Sequence, residues 1–562
     1  MATLLIMVIA AIGYILAYRI YGRWLSHKIF HLDATAVTPA HAHNDGHDYV
    51  PTRAEVLFGH HFTTIAGTGP IVGPLIGVTH FGWGPSLLWI ALGPIFMGAV
   101  HDMGSMVISA RNKGVSIGEV AEEIINPRVR TLFLLIIFFA LLIIIAIFGL
   151  VIAVIFAKYP QSVIPVWSEI PIALWLSWMV HKRGASMRVM GAVAVFLMYV
   201  FVYVGFKVPV PPEILPTFAS PVVIWTLLLL AYAYIASTLP VHRLLQPRDY
   251  INSHQLLIIM GILFVGMLIA RPEIVAPAVQ LHPEGAPPIV PMIFVIIACG
   301  AISGFHSLAG SGTTSKQLDK ETDALTIGYG SMLLEGFLAV LVILACTAGF
   351  ASHEAWTHHY ASFAAASGLG AKLGAFVDGS AHIVSKAFGI NLGLMTTVMG
   401  VFVASFAATT LDSATRIQRY VVEELAHDYR IPVLTNKHAA TTVAVVTAAA
   451  LAFAQEGGKG GLLLWPLFGA TNQLLAGLAF LVIYVYLLRR GKPTMFMLIP
   501  MVFMIVMTAW AMLINLQTFI EGRQWHLIAI SAIVMVLEIW MIFETIGVAR
   551  NLAGESQMEG GA

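Results

Sequence analysis

Seven ionisable side chains lie within strongly apolar stretches of this sequence. Histidine and carboxylate groups in such places can bind zinc or relay protons. An ionisable group at the centre of a bilayer costs on the order of 2.5 to 3.5 kcal/mol, so it is rarely kept without a task. We therefore treat all seven as candidate functional residues: His60, His61, His101, Asp102, His306, Glu335 and Asp412.

Four of the seven residues could form a metal site. His60 and His61 are adjacent, and adjacent side chains on a helix point about 100° apart, so they are not expected to bind one ion as a pair. Either of them could meet His101 and Asp102 from the next apolar stretch. The sequence leaves three interpretations open: a bound metal such as Zn²⁺, a proton or hydrogen-bond network, and structural polar contacts near the membrane interface.

The composition indicates the class of protein. Of the 562 residues, 58% are hydrophobic and 10% are charged, whereas soluble domains have about 25% charged residues. The chain is therefore predicted to be an all-α polytopic membrane protein. A net charge of +1 offers no basic surface for nucleic acid. Cys299 and Cys346 lie in apolar runs, which predicts packing positions rather than a disulfide or a zinc knuckle.

The segment that would position these residues runs from Gly59 to Pro74 and reads GHHFTTIAGTGPIVGP. Its prolines cannot donate a helical hydrogen bond, and its glycines raise the entropic cost of a helix. We expect two half-helices joined near Gly67 to Pro70. Such a break survives in a membrane only inside a bundle or beside a polar cavity, as at the binding sites of transporters. The alternative is a kink filled by neighbouring helices.

The sequence contains fifteen apolar stretches long enough to cross a bilayer. Placing the N-terminus outside and the C-terminus in the cytoplasm puts 23 of the 30 basic residues in cytoplasmic segments, as expected for membrane proteins. The first stretch has no cleavage site, so we interpret it as a retained helix. The stretches are residues 3–22, 55–78, 85–109, 131–157, 163–180, 189–206, 220–239, 254–270, 290–311, 327–350, 393–412, 438–455, 462–488, 494–516 and 526–548.

A second interrupted helix is predicted at residues 220–239, where Pro240 follows Ser237 and Thr238. It lies five spans after the first and runs the opposite way, which is the pattern of an inverted-repeat transporter core; coincidence is the alternative. The predicted division is residues 1–54 (a helix and a His-rich cytoplasmic loop), 55–210 (first repeat), 211–415 (second repeat, with an external insertion at 351–392) and 416–562 (accessory helices).

Seven long motifs are distributed along the sequence. They are DYVPT with VLFGHHF (48–62), GTGPIVGP (67–74), GAVHDMGSMVIS (98–109), LPVHRLLQPRDYINS (239–253), ISGFHSLAGSGTTSK (302–316), GYGSMLLEG (328–336) and FAATTLDSATRIQRY (406–420). These motifs resemble the signature stretches of the carbon starvation protein A family, and the resemblance covers roughly residues 1–490. It implies a transporter of peptides or pyruvate from the APC superfamily, with a leucine-transporter-like 5+5 fold whose first helix is discontinuous in each half.

The resemblance suggests a role for a set of evenly spaced hydroxyl residues. A spacing of four places Ser303, Ser307 and Ser311 on one face of a helix. Proteins with the leucine-transporter-like fold offer hydroxyls to a coupling Na⁺ at the corresponding position; close packing through small residues is the alternative. The candidate residues for ion coupling are Ser307, Ser311, Thr313, Thr314, Glu335 and Asp412.

The preferred hypothesis is a secondary active transporter of the plasma (inner) membrane. It would import a small carboxylate such as pyruvate, or a short peptide, with H⁺ or Na⁺. Half-helix amides would bind the substrate carboxylate. No Walker-type run indicates ATP as the energy source. The candidate substrate residues are Gly67, Thr68, Gly69, Pro70, Ser237 and Thr238.

The alternative hypothesis is an intramembrane metalloenzyme. It would use His60, His61, His101 and Asp102 as its metal site. Against it, the sequence contains no HExxH run. The expected partners are a small-molecule substrate and membrane lipid, and Zn²⁺ or Na⁺ are the ions left open.

Overall fold

Helices form nearly all of the regular structure in the described part of the chain. Among the residues that the structure describes, thirteen helical segments are long and apolar enough to cross a membrane, by length and composition. They coincide with thirteen of the fifteen predicted stretches. The other two correspond to the short apolar helix Lys437–Ala452 and to a pair of still shorter helices. The computed structural model describes residues 2–46, 48–281, 286–350, 352–359, 369–454 and 460–559.

We number the longer α-helices and the half-helices in chain order. The sequence of the first part is α1 (Ala2–Ala17), α2 (Ala54–Ile65), α3 (Gly69–Phe81), α4 (Trp83–Gly93), α5 (Ala99–Arg111), α6 (Pro127–Lys158), α7 (Val163–Arg183), α8 (Met187–Lys207), α9 (Pro221–Thr238) and α10 (Leu245–Ala270). The remainder is α11 (Ile289–Ile296), α12 (Gly304–Ala309), α13 (Ser331–Ala348), α14 (Leu369–Phe388), α15 (Leu392–Asp428), α16 (Lys437–Ala452), α17 (Gly460–Leu488), α18 (Met495–Glu521) and α19 (Trp525–Glu559).

The long helices α6 and α15 pack against each other at the centre of the bundle. Their apolar side chains are buried around most of the helix, as expected for helices inside a membrane bundle. Helices α1, α8 and α18 lie further out and expose large apolar side chains, for example Leu5, Phe196 and Ile499. This surface suits a lipid environment.

The first predicted break is confirmed. Helix α2 ends at Ile65, α3 begins at Gly69, and Ala66 has non-helical backbone angles. Pro70 lies in the first turn of α3, where its missing N–H would have had no helical partner. The joint at residues 66–68 is buried.

The predicted break near Ser237 to Pro240 is wrong. Helix α9 is continuous to Thr238, and Leu239 then adopts an extended conformation. Pro240 follows the end of this helix, and Pro247 lies in the first turn of α10, where a proline is tolerated. The prolines therefore mark the boundary between two helices rather than an interruption within one.

The second discontinuous helix is the pair α11 and α12. Residues 297–303 separate the two halves, and no proline lies in this segment. Asn472 of α17 stabilises the break, because its Oδ1 accepts a hydrogen bond from the backbone N–H of Phe305 at 2.9 Å. A side chain that is distant in sequence thus satisfies a backbone group freed by the break.

The two breaks pack directly against each other. A Cβ atom added to Gly69 would lie 2.4 Å from both Cβ and Sγ of Cys299. One added to Gly73 would lie 2.7 Å from the carbonyl oxygen of Ile296. Glycine is required at these positions because the backbone of one discontinuous helix touches the other. The fold is thus leucine-transporter-like, with a discontinuous first helix in each half.

Candidate functional site

Beside the second break lies a group of four residues that we call the histidine cluster: His101, Asp102, His306 and Glu335. Nδ1 of His101 lies 2.9 Å from Oδ1 of Asp102, and Nδ1 of His306 lies 2.9 Å from Oδ2 of the same carboxylate. Nε2 of His306 lies 3.3 Å from Oε2 of Glu335. All four side chains have zero exposure. Helices α5, α12 and α13 thus supply a continuous buried chain of titratable groups.

The histidine cluster contains buried polar atoms that have no hydrogen-bond partner among the described residues. They include both carboxylate oxygens of Glu335 and the Nε2 atoms of His101 and His306. The 3.3 Å approach of His306 to Glu335 is an ion-pair distance without hydrogen-bond geometry. In the described contacts, no lysine or arginine pairs with either carboxylate. Such a site is suited to take up a proton or another small cation.

A second group, which we call the arginine cluster, consists of Glu169, Tyr232, Arg248 and Asp412. The guanidinium of Arg248 is 2% exposed. Its Nη1 donates to Oδ2 of Asp412 and, at 2.7 Å, to the hydroxyl of Tyr232. Its Nε donates to Oε2 of Glu169 at 3.2 Å. Helices α7, α9, α10 and α15 therefore meet at one buried cation.

The arginine cluster is connected to the end of the first half-helix. Thr409 and Thr410, on the same helix as Asp412, donate to the carbonyl oxygens of Thr63 and Thr64 at 3.0 and 3.2 Å. These carbonyls belong to the last turn of α2 and have no helical partner of their own. The contacts link the arginine cluster to the first break.

The structure does not gather the four predicted metal ligands. His60 lies 2.6 Å from Oδ2 of Asp249, and His61 lies 2.9 Å from the hydroxyl of Thr314. The side chains of His101 and Asp102 instead belong to the histidine cluster. Within the described ranges, no group of three or more His, Cys, Asp or Glu side chains is arranged to hold a metal ion. The two histidines diverge because they are neighbours on one helix.

Most of the predicted coupling hydroxyls bond to their own helical segment. Ser307 donates to the carbonyl of Gly304, Ser311 to Ser307 and Thr313 to Ala309. Thr314 is the member of the set that contacts an ionisable side chain, His61. Glu335 and Asp412 lie in different clusters, so the six predicted residues do not form one site.

The predicted substrate residues also divide into two groups. Gly67, Thr68, Gly69 and Pro70 occupy the first break, and the buried hydroxyl of Thr68 has no partner among the described residues. In contrast, Ser237 and Thr238 donate to carbonyls of α9 itself, Tyr234 and Ile235. Since α9 is unbroken, these last two residues are not part of a helix break.

The sequence analysis did not identify three residues that belong to the arginine cluster or to the second break: Glu169, Arg248 and Asn472. Glu169 is a single carboxylate in an apolar run, which is the signal that identified Glu335. Arg248 is adjacent to Pro247 in a segment taken for a cytoplasmic loop, so its burial was not expected. Asn472 carries no charge and has no distinctive spacing. Only its position against the second break shows its role.

The predicted cytoplasmic end of the bundle is covered by the segment before α2. Arg416 lies 3.3 Å from Asp48, and the hydroxyl of Tyr420 donates to the same Asp48 oxygen at 3.0 Å. Burial raises the pKa of the Tyr49 phenol. Burial acts to lower the pKa of the nearby Lys316, but neighbouring groups, Tyr420 first among them, outweigh it and raise that pKa. These contacts attach the segment before α2 to helix α15.

Known proteins with similar sequences are membrane transporters. The chain is 32% identical to a peptide transporter CstA of Campylobacter jejuni, over 92% of this chain and 81% of that protein. It is also 32% identical to the pyruvate/proton symporter BtsT of Escherichia coli, over 90% and 80% respectively. A CstA peptide transporter of Mycobacterium tuberculosis is 34% identical, over 87% and 71%.

A solved structure shares the fold. A mutant of the Eremococcus coleocola manganese transporter superposes with a TM-score of 0.50 at 12% sequence identity, covering 90% of this chain and 99% of that one. The relatives are transporters, so the protein is a transporter and the metalloenzyme alternative has no support. The model of the carbon starvation protein CstA family matches residues 2–359 and 350–511. The chain therefore belongs to the carbon starvation protein CstA family, as a multi-pass transporter of the plasma membrane.

Proposed function

We propose that the protein is a proton-coupled secondary active transporter that imports a small carboxylate, either pyruvate or a short peptide. The observation that carries the proposal is the placement of the buried histidine cluster beside the contact between the two helix breaks. A substrate bound at the breaks and a proton bound at the cluster would then act on the same helices. The named activities of the two kinds of relatives agree with both substrates.

The first break supplies the substrate contacts. Helix α3 begins at Gly69 with its N-terminal end at the joint, and the helix dipole at such an end favours an anionic substrate. Thr68 adds a buried hydroxyl without a described partner. We assign Gly67, Thr68, Gly69 and Pro70 to the substrate site.

The histidine cluster favours H⁺ over Na⁺ as the coupling ion. Two carboxylates, Asp102 and Glu335, are bridged by His306 and have no described lysine or arginine partner. A proton neutralises such a pair without needing a full shell of oxygen ligands.

The packing supports a division into repeats that differs from the one predicted from the sequence. In the first half α6 packs on α9, and α10 packs on α2. In the second half α15 packs on α16, and α17 packs on α12 in the corresponding way. We assign residues 54–270 and 289–488 to the two repeats, so that each begins with a discontinuous helix. The packed pair α7 and α8 is then an insertion in the first repeat.

The proposed orientation has the N-terminus outside and the C-terminus in the cytoplasm. The distribution of the basic residues supports it, since 23 of 30 fall in cytoplasmic segments. A reporter fused at Ala562 is expected to be active only in the cytoplasm. Activity only outside the cell would reverse this orientation and the direction of both repeats.

Transport by the purified protein in sealed liposomes tests the proposal. Radiolabelled pyruvate and dialanine are offered in separate arms under an inward H⁺ gradient, an inward Na⁺ gradient, or no gradient. We expect one or both substrates to accumulate unchanged above the external concentration under the H⁺ gradient, and a protonophore to abolish this. Accumulation under the Na⁺ gradient alone would contradict proton coupling, and no uptake of either substrate would contradict the assigned substrate class.

A further inference from the structure

We propose that Arg248 is the anchor for the substrate carboxylate, and that Asp412 occupies this position when no substrate is bound. The inference rests on the proposed function, because it takes the substrate to be a carboxylate. The ligand chemistry is a carboxylate anion, from either a keto acid or the C-terminus of a short peptide. Neither the sequence patterns nor the relatives' names assign a task to Arg248.

The two carboxylates that contact Arg248 are held in different ways. Glu169 uses both oxygens: Oε1 accepts from Ser405, and Oε2 accepts from Asn252 and Arg248. Asp412 uses Oδ2 for both Arg248 and Tyr232, and its buried Oδ1 has no partner within the described part of the chain. Glu169 is therefore a fixed member of the cluster, whereas Asp412 is the carboxylate that another carboxylate can replace.

The donors around Asp412 suit an incoming carboxylate. Nη1 of Arg248 and the hydroxyl of Tyr232 both converge on Oδ2 of Asp412. A guanidinium presents several N–H groups in one plane, so it binds a carboxylate with defined geometry. A ligand carboxylate in place of Asp412 would receive the same two donors, and Glu169 would continue to orient the guanidinium.

Helix α15 connects the proposed carboxylate site at Arg248 and Asp412 with the first break. Asp412 follows Thr409 and Thr410 on α15, and these threonines donate to the last carbonyls of α2. A Cβ atom added to Gly67 would lie 2.2 Å from Oγ1 of Thr410. Displacement of Asp412 therefore acts on a helix segment that touches the joint between α2 and α3.

The charges around the Arg248 guanidinium determine whether removal of the Asp412 charge should strengthen or weaken substrate binding. The groups that face Arg248 or Asp412 are Glu169 from α7, Tyr232 from α9 and Asp249 from α10, with His60 of α2 paired to Asp249. One permanent cation thus faces three carboxyl groups. A further anion can enter only if Asp412 withdraws or loses its charge, so removal of the Asp412 charge should strengthen substrate binding.

Equilibrium binding to the purified protein in nanodiscs tests the proposal. The probes are radiolabelled pyruvate and dialanine, and neutral pyruvamide is the control that lacks a carboxylate. We expect Asp412→Asn to bind the carboxylates several-fold more tightly, because the internal competitor is removed. The double variant Arg248→Gln/Asp412→Asn should bind them at least about tenfold more weakly than Asp412→Asn alone. Binding of pyruvamide should change little in either variant.

A matched pair of charges provides the control. Arg111 and Glu321 form a partly buried ion pair at 2.6 Å, away from both clusters. The variant Arg111→Gln/Glu321→Gln is expected to keep wild-type affinity. If Asp412→Asn does not fold, Arg248→Lys retains the charge but not the planar geometry. It should weaken carboxylate binding and leave pyruvamide binding unchanged.

The outcomes separate this inference from the proposed function. If the ion pair between Arg248 and Asp412 has only a structural role, Asp412→Asn should lower the melting temperature without tightening binding. That result would overturn the assignment of Arg248. Wild-type affinity in the double variant would overturn it too. If the wild type transports normally but these variants fail the prediction, only the inference falls. If the wild type accumulates neither substrate, the proposed function itself fails.

Discussion

The histidine cluster and the arginine cluster are both buried among helices of the core, but their charges are balanced differently. In the arginine cluster, a permanent cation contacts two carboxylates directly. In the histidine cluster, Asp102 and Glu335 contact only imidazoles among the described residues. A permanent cation can exchange one anion for another, whereas carboxylates without one change charge by binding a proton. We therefore interpret the arginine cluster as an anion site and the histidine cluster as the proton site.

The largest expected effect comes from Glu335→Gln. The amide keeps the shape of the side chain but cannot carry a proton between two states, so proton-driven accumulation should fall by at least about tenfold, or about 1.4 kcal/mol of driving force. Exchange of labelled for unlabelled substrate needs no net proton movement and should continue. The measurement is uptake under an H⁺ gradient beside counterflow in the same liposomes.

The same substitution in the arginine cluster, Glu169→Gln, provides the comparison. It should change substrate affinity and leave the accumulation ratio close to that of the wild type. If Glu169→Gln abolished proton-driven accumulation and Glu335→Gln did not, the roles of the two clusters would be reversed.

A second prediction concerns the half-helix that carries His306. In Asn472→Ala the N–H of Phe305 loses its acceptor, and an unpaired buried group costs about 1 to 3 kcal/mol. We expect a lower melting temperature and weaker transport, whereas Asn472→Asp retains the acceptor oxygen and should be milder. Equal melting temperatures for Asn472→Ala and the wild type would show that the second break does not depend on this contact.

The third prediction addresses the contact between the two breaks. In Gly69→Ala the new methyl group would lie 2.4 Å from Cβ and Sγ of Cys299. Overpacking of this kind costs about 1 to 3 kcal/mol, so stability and transport should both fall. The double variant Gly69→Ala/Cys299→Gly should recover part of both. Gly13→Ala is the control, because nothing lies within 4 Å of its added Cβ atom.

The smallest effect is expected for an arginine at the surface. Arg188 pairs with Glu55 at 2.8 Å, but the two side chains are 65% and 40% exposed. Because solvent screens such a pair, Arg188→Gln should leave the melting temperature nearly unchanged. Thermal unfolding beside Arg248→Gln measures the difference. A similar loss for both variants would contradict the special position of Arg248.

The sequence allowed the first break to be predicted because its causes are local. Pro70 and Gly69 alter the backbone regardless of their surroundings, and the structure places the joint where these residues indicate. The second break depends on Asn472, which is distant in sequence from residues 297–303. No local sequence pattern predicts the second break. Pro240 gave a misleading signal because a proline after a helix end resembles a proline within a helix.

The candidate site was predicted in its residue types but not in its pairings. His101, Asp102, His306 and Glu335 were recognisable as charges in apolar stretches, and the structure joins them into one cluster. The pairing of His60 with Asp249 could not be predicted, since it depends on how α2 packs against α10. The same packing buries Arg248 and brings it to Asp412.

Proton movement on substrate addition tests the central claim most directly. Liposomes containing a pH-sensitive dye and either the wild type or Glu335→Gln receive pyruvate or dialanine outside, without any imposed gradient. We predict that the lumen of wild-type liposomes acidifies when a transported substrate is added. Glu335→Gln liposomes should not acidify, although they should exchange labelled for unlabelled substrate when loaded with the latter. Uptake by the wild type with no change in luminal pH would contradict proton coupling, and equal acidification by both proteins would contradict the role of the histidine cluster.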